Sequence, residues 1–191
     1  MNTLTINSYP KSGAAILQHI LQTMYPLVKV SEISDDLFDF SNFNETEQGV
    51  ICILRNPTDS ISNAYLRDKI DRSFYANTLD PANINKPKLT VSDFVKNYLD
   101  FYKHVLDNKE NTAVIDFEQI GVATYTEDII KAKFNIDADI TVFKKDTDDY
   151  ITKQGWNRIS PTSEELAAVA IEVQEDPRYL QCLAAFNAVR N

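Results

Sequence analysis

Cysteine is scarce, with two residues in 191, and neither stands at a metal-ligand spacing. Cys52 lies in the apolar run Val50 to Leu54 and Cys182 in a helical stretch, so both read as buried free thiols. No apolar run approaches the ~18 residues of a membrane span. The opening MNTLTINSYP lacks the charged and long apolar segments of a secretory signal, so a cytoplasmic protein without membrane attachment is expected. Cations are also short: 19 Lys and Arg face 28 Asp and Glu, a net charge of -9. That balance speaks against a nucleic-acid binder whose affinity comes from neutralising phosphates. One anion pocket stays compatible with it, because a few convergent donors override the global field. Neither repeats nor a dividing linker are found, so residues 1–191 are expected to form one domain, a monomer or weak homodimer, large enough to bury a core.

What is present is globular in character, 43% hydrophobic and 25% charged. Strands are expected at Thr3 to Ser8, Val28 to Ile33, Gly49 to Leu54, Thr112 to Phe117 and Ile140 to Phe143. The third is a nearly continuous apolar run, the pattern of a parallel strand covered on both faces. Between them lie helical patterns at Ala14 to Tyr25, Asp59 to Arg72, Val91 to Leu106 with Ser92 as cap, Glu127 to Phe134, Ser163 to Gln174 and Pro177 to Val189. This alternation predicts an α/β fold of three layers, P-loop-like, with a central parallel sheet flanked by helices. Asn77 to Pro87, rich in Pro and Asn, reads as an exposed loop.

The bend Tyr9-Pro10-Lys11-Ser12-Gly13 joins the first strand to the first helix. A helix starting there presents free N–H groups and a positive dipole end, an anion site to which Lys11 adds a charge. The usual phosphate loop, G-x-x-x-x-G-K-[ST], places its Lys after the last Gly. Here Lys11 precedes Gly13, so that pattern does not apply. Arg55 stands at the C-terminal end of the third strand, where ligands of open α/β sheets bind. Two cations on neighbouring strand ends suit a nucleotide phosphorylated at both 5′ and 3′ positions.

The bend resembles the 5′-phosphosulfate loop of the sulfotransferase family, Y-P-K-S-G-T-T-W, matching from Tyr9 to Gly13 and departing at Ala14, Ala15 and Ile16. Arg55, Asn56, Pro57 and Asp59 resemble the family's 3′-phosphate motif R-N-P-x-D, with Asn63 at the position of a serine. Ala113 to Ile120 is similar to the strand ending in Y-E-D-L, with Phe117 in the place of the Tyr that packs on adenine. His104-Val105 stands as the remnant of a D-H-V sequence. Lys153, Gly155 and Trp156 resemble the G-x-W-[RK] segment that closes over the 3′-phosphate. With His104-Val105 counted with the strand segment that it precedes, the four segments keep the family's order and span nearly the whole chain.

The resemblance implies 3′-phosphoadenosine 5′-phosphosulfate (PAPS), or its product adenosine 3′,5′-bisphosphate, as the nucleotide. It further implies sulfuryl transfer to a hydroxyl or amine without a metal. The cofactor set implied is Pro10 with Lys11 to Ile16, Arg55, Asn63, Phe117, Lys153, Gly155 and Trp156. Lys11 would stabilise charge on the bridging oxygen, and His104 would orient. The family's K-T-H base is missing; Glu32 of KVSEIS falls there once a one-residue gap is allowed. The acceptor pocket is expected from the segments around Leu37 to Phe43 and Ser73 to Leu89. Loss of both loop threonines weakens cofactor binding, and leaves a non-catalytic nucleotide-binding protein as the alternative. A divergent P-loop kinase is a further one, opposed by the absent G-K-[ST].

Bland readings accompany these. Lys11 could be a solvated loop cation, Arg55 a strand-end partner of Asp59 or Asp116, and Glu32 an exposed strand residue. His19 reads as structural or surface, Trp156 as a core or lid anchor, and Asp146 to Asp149 as a solvated turn.

Overall fold

In the computed structural model the apolar run at 49–54 lies inside a parallel sheet, as its pattern requires. The structure describes residues 1–10, 12–33, 37–70, 88–139 and 161–191. Its elements are β1 (Thr3–Ser8), α1 (Ala14–Met24), β2 (Lys29–Ile33), β3 (Gln48–Leu54), α2 (Pro57–Ile70), α3 (Val91–Asp107), β4 (Thr112–Asp116), α4 (Ala123–Phe134), α5 (Ser163–Glu175) and α6 (Tyr179–Arg190). The strand expected at Ile140 to Phe143 and the loop at Asn77 to Pro87 lie outside the described residues.

The four described strands run parallel in the order β2-β1-β3-β4. The chain moves outward from β1 to β2, then crosses back to β3 on the other side. The order therefore reverses between β1 and β3, the place where open α/β sheets bind ligands. Register aligns Ser8 with Ile53 and Ile53 with Ile115. The residues that leave the sheet, Tyr9, Arg55 and Phe117, thus emerge side by side along its C-terminal edge.

Alternation of side chains divides the core between the two faces. Leu4, Ile6, Ile51 and Ile53 pack beneath α1 and α4 with Leu17, Leu21 and Ile130. Cys52 and Leu54 face α2, α3, α5 and α6, meeting Ile61, Phe94, Tyr98, Tyr102 and Val173. The fold is α/β with helices on both faces of a parallel sheet. Both cysteines are buried and free. Among the described residues no helix is long and apolar enough to cross a membrane.

Local chemistry sets the helix ends, in places differently from expectation. α3 is capped by Thr90, not Ser92: Thr90 accepts the Asp93 N–H while the Asp93 carboxylate takes the Thr90 N–H. Ser92 instead donates to Asp176 Oδ2 at 2.6 Å, and Arg178 donates to the Ser92 carbonyl at 2.7 Å. This network clamps the start of α3 to the turn between α5 and α6. α2 begins at Pro57 rather than Asp59, since proline suits a first helical position and Asn56 Oδ1 accepts the Thr58 N–H at 2.9 Å. α4 begins at Ala123 rather than Glu127, from a Val122 cap without a side-chain acceptor.

Candidate functional site

The site is built on the three strand ends. Gly13 caps α1 in the left-handed conformation, φ 89° and ψ 18°, with no side-chain acceptor for the first-turn N–H groups and no acidic residue nearby in that turn. Glycine is required twice over. Its φ is one that side chains rarely adopt, and a Cβ there would lie 3.0 Å from Phe117 Cε2 and 3.2 Å from Ile120 Cδ1. The α1 N-terminus thus stays open, its free N–H groups a site for negative charge. Ser12 beside it is 1% exposed, and its hydroxyl has no hydrogen-bond partner among the described residues. A buried hydroxyl left this way costs stability unless something else satisfies it.

Phe117 joins this bend to the next strand end. The ring that backs Gly13 also carries the Arg55 guanidinium, Cζ 4.1 Å from its centroid. Burial draws the Arg55 pKa below the ordinary arginine value, Asp59 opposing it, yet a guanidinium stays charged in a protein. Two tyrosines of α3 fix the backbone beneath Arg55. Tyr98 Oη donates to the Arg55 carbonyl at 2.8 Å, and Tyr102 Oη donates to the Ile53 carbonyl at 2.8 Å while accepting the Arg55 N–H at 3.3 Å. Burial pushes both phenols above their usual range, so they remain donors. Tyr9, edge-on to Tyr98 at 5.1 Å, donates to the Phe94 carbonyl at 3.1 Å. A single aromatic cluster therefore holds both the β1 and β3 ends.

Of the residues singled out in sequence, Ser12, Gly13, Arg55 and Phe117 come together, with Pro10 leading into the bend and Ala14, Ala15 and Ile16 forming the first turn of α1. Lys11, Lys153, Gly155 and Trp156 lie outside the described residues, as do Phe143 and Asp146 to Asp149. Asn63 turns its amide back on its own helix, donating to the Asp59 carbonyl at 2.8 Å. Glu32 is exposed on the edge strand β2, paired in register with Ile6 and through it with Ile51, short of the Arg55 position.

His104 is engaged elsewhere. Its Nε2–H donates to the Phe38 carbonyl at 2.9 Å and its ring tilts against Phe40 at 5.7 Å. Carbonyl oxygens only accept, which sets the tautomer. With Asn7, whose amide donates to the Ile33 carbonyl and accepts the Phe38 N–H, both at 3.2 Å, it pins the segment Leu37 to Phe43. There Phe38, Phe40 and Phe43 form a half-exposed aromatic group.

The helical pattern over Val91 to Leu106 does not single out Tyr98 or Tyr102. Their hydroxyls were the missed signal, since a buried Tyr needs an acceptor. Arg190 was missed altogether: it lines a cavity of about 190 Å³ together with Arg55, Asp59, Asp116 and Phe117.

No protein-family model matches the chain, and no curated protein matches it. Among solved structures it is similar to the mouse sulfotransferase SULT7A1 complexed with PAP, at a TM-score of 0.40 and 17% sequence identity over 90% of this chain. The match spans 64% of the mouse chain, less than two thirds of it. The fold class stands on the sheet and helices described above rather than on that likeness.

Proposed function

We propose that this chain binds a nucleoside 3′,5′-bisphosphate of the PAPS type at the β1/β3 strand ends and uses it to sulfate a hydroxyl or amine. The observation that carries the reading is the meeting of Gly13, Phe117 and Arg55 where the strand order reverses. The residues fit such a ligand: an uncapped helix N-terminus, a buried Ser12 hydroxyl without a partner and a fixed arginine all answer to negative charge. Pro10, Lys11, the Ser12 hydroxyl and the N–H groups of Gly13 to Ala15 take the 5′ end, since the Ser12 and Ile16 N–H groups already bond within the bend; Arg55 takes the 3′ end, joined by the second amide hydrogen of Asn63. By the same resemblance Lys153, Gly155 and Trp156 are assigned to the 3′ end.

PAPS, when bound, supplies a sulfuryl group on a good leaving group. Lys11 holds positive charge where the bridging oxygen gains negative charge, and Glu32 receives the acceptor's proton. His104 acts as a positioning residue, holding the aromatic segment Leu37 to Phe43 against α3 as one wall for the acceptor.

The alternative, a nucleotide-binding protein without turnover, is favoured by Ala14 and Ala15 in the loop and by the exposed setting of Glu32. Thermal unfolding with adenosine 3′,5′-bisphosphate, ADP and ATP, with and without Mg²⁺, separates the readings. A ligand at 100 times its Kd adds about 2.7 kcal/mol. A bisphosphate-selective shift supports the proposal, and turnover with PAPS then decides between enzyme and binder. An ATP shift that needs Mg²⁺ favours a kinase, and no shift with any of them removes the nucleotide site.

A further inference from the structure

A second guanidinium shares the cavity beside Arg55. Arg190, in the last turn of α6, reaches Asp116 Oδ2 at 3.4 Å and lies 5.9 Å from the Phe186 ring centroid. With Arg55 it lines a hollow of about 190 Å³ at the mouths of β3 and β4. We infer that Arg190 is a specificity residue of the proposed nucleotide site, leaving Asp116 to grip the 3′-phosphate opposite Arg55; this rests on the bisphosphate reading above.

Three features support it. The Arg190–Asp116 contact is long and the arginine side chain 55% exposed, so the pair contributes little and parts easily. Two arginines that line one cavity suit a phosphoryl group, each guanidinium able to donate two hydrogen bonds. The cavity is smaller than the ~300–1,000 Å³ that encloses a whole drug-sized ligand, so it receives one end of a nucleotide.

Charge narrows the ligand further. Asp59, Asp116 and Glu118 line the same cavity, three carboxylates against two arginines. A bare phosphate meets net repulsion there. A nucleoside 3′,5′-bisphosphate adds its one free ribose hydroxyl, at 2′, as a donor that a carboxylate accepts, and holds its other end outside the cavity, so it is favoured over the free ion.

Isothermal titration of the full chain with adenosine 3′,5′-bisphosphate, 5′-AMP and inorganic phosphate tests this, using wild type, Arg190→Ala and Asp116→Asn. Arg190→Ala should weaken the bisphosphate on the order of tenfold and leave 5′-AMP within about twofold, because 5′-AMP has no 3′-phosphate. Asp116→Asn should tighten the bisphosphate by freeing Arg190, an outcome that a merely structural pair would not produce. Free phosphate should bind weakest throughout. Bisphosphate-selective wild type with unchanged Arg190→Ala overturns the role of Arg190 alone, as does an equal loss for both nucleotides or a weakened Asp116→Asn. Wild type that does not prefer the bisphosphate overturns the underlying nucleotide reading and this one with it.

Discussion

Tyr102 and Arg55 meet through backbone and hydroxyl: the Arg55 N–H donates to Tyr102 Oη at 3.3 Å, and that hydroxyl donates onward to the Ile53 carbonyl at 2.8 Å. The end of β3 is thus held by a side chain of α3, and the direction in which Arg55 departs is set there. Removing the hydroxyl takes one hydrogen bond from the buried Ile53 carbonyl and one from the Arg55 N–H. Tyr102→Phe should lower stability by about 1–3 kcal/mol in urea unfolding and weaken bisphosphate binding as well. An unchanged midpoint together with unchanged affinity would show that the hydroxyl does not fix the strand end.

Gly13→Ala should damage the α1 N-terminus specifically. The substitution combines a left-handed φ of 89° with a Cβ 3.0 Å from the Phe117 ring, so strain of about 1–2 kcal/mol adds to displacement of Phe117. A lower melting temperature and a lost bisphosphate shift are expected. Ala14→Gly, at the first helical position, keeps the backbone N–H that faces the site, so it should cost less than about 1 kcal/mol and keep the shift.

Thr90 and Ser92 separate two kinds of stabilisation at one helix start. Thr90→Ala removes a capping box and should cost about 0.5–2 kcal/mol at any pH from 5 to 8. Ser92→Ala removes a donor from Asp176, so its cost should shrink in acid as that carboxylate protonates. A Ser92→Ala cost that stays constant from pH 5 down to 2 would contradict its dependence on the Asp176 carboxylate.

The Asp176 carboxyl gives the acid limb of stability. Burial raises its pKa, but the hydrogen bonds from Arg178 and Ser92 outweigh burial and bring it down to about 2. A carboxyl lower in the folded than in the unfolded state stabilises above its unfolded value, near 3.9. That contribution, up to about 2 kcal/mol, is lost as pH falls from roughly 4 through 2. Asp176→Asn should flatten this part of the stability profile; a slope equal to wild type would assign the acid transition to other groups.

The sheet was legible because burial on both faces writes itself into the 49–54 run, and the helices because their apolar stripes repeat. Boundaries were less so. Thr90-x-x-Asp93 is a capping box with Asp in place of the more familiar Glu, and Val122 offers no polar signal for the start of α4. For the candidate site, the sequence marked Gly13, Arg55 and Phe117, since each belongs to a recognisable turn or strand end. It could not mark Tyr98 and Tyr102 as their supports, because those contacts span 43 and 47 positions and depend on how α3 lies across the sheet. Arg190 is still further from any local pattern; only the packing of α6 against α3 and β3 brings it to Asp116, 74 positions away.

The two thiols offer a built-in clock for opening of one face. Cys52 and Cys182 are both fully buried in the layer that holds the tyrosines, and burial pushes both up, Cys182 to about 12. Neither forms a thiolate while α2, α3 and α6 stay packed. Alkylation by a maleimide therefore counts the excursions in which those helices lift from the sheet, and a nucleotide that steadies the Arg55 end should slow the labelling of Cys52, which lies on the same strand.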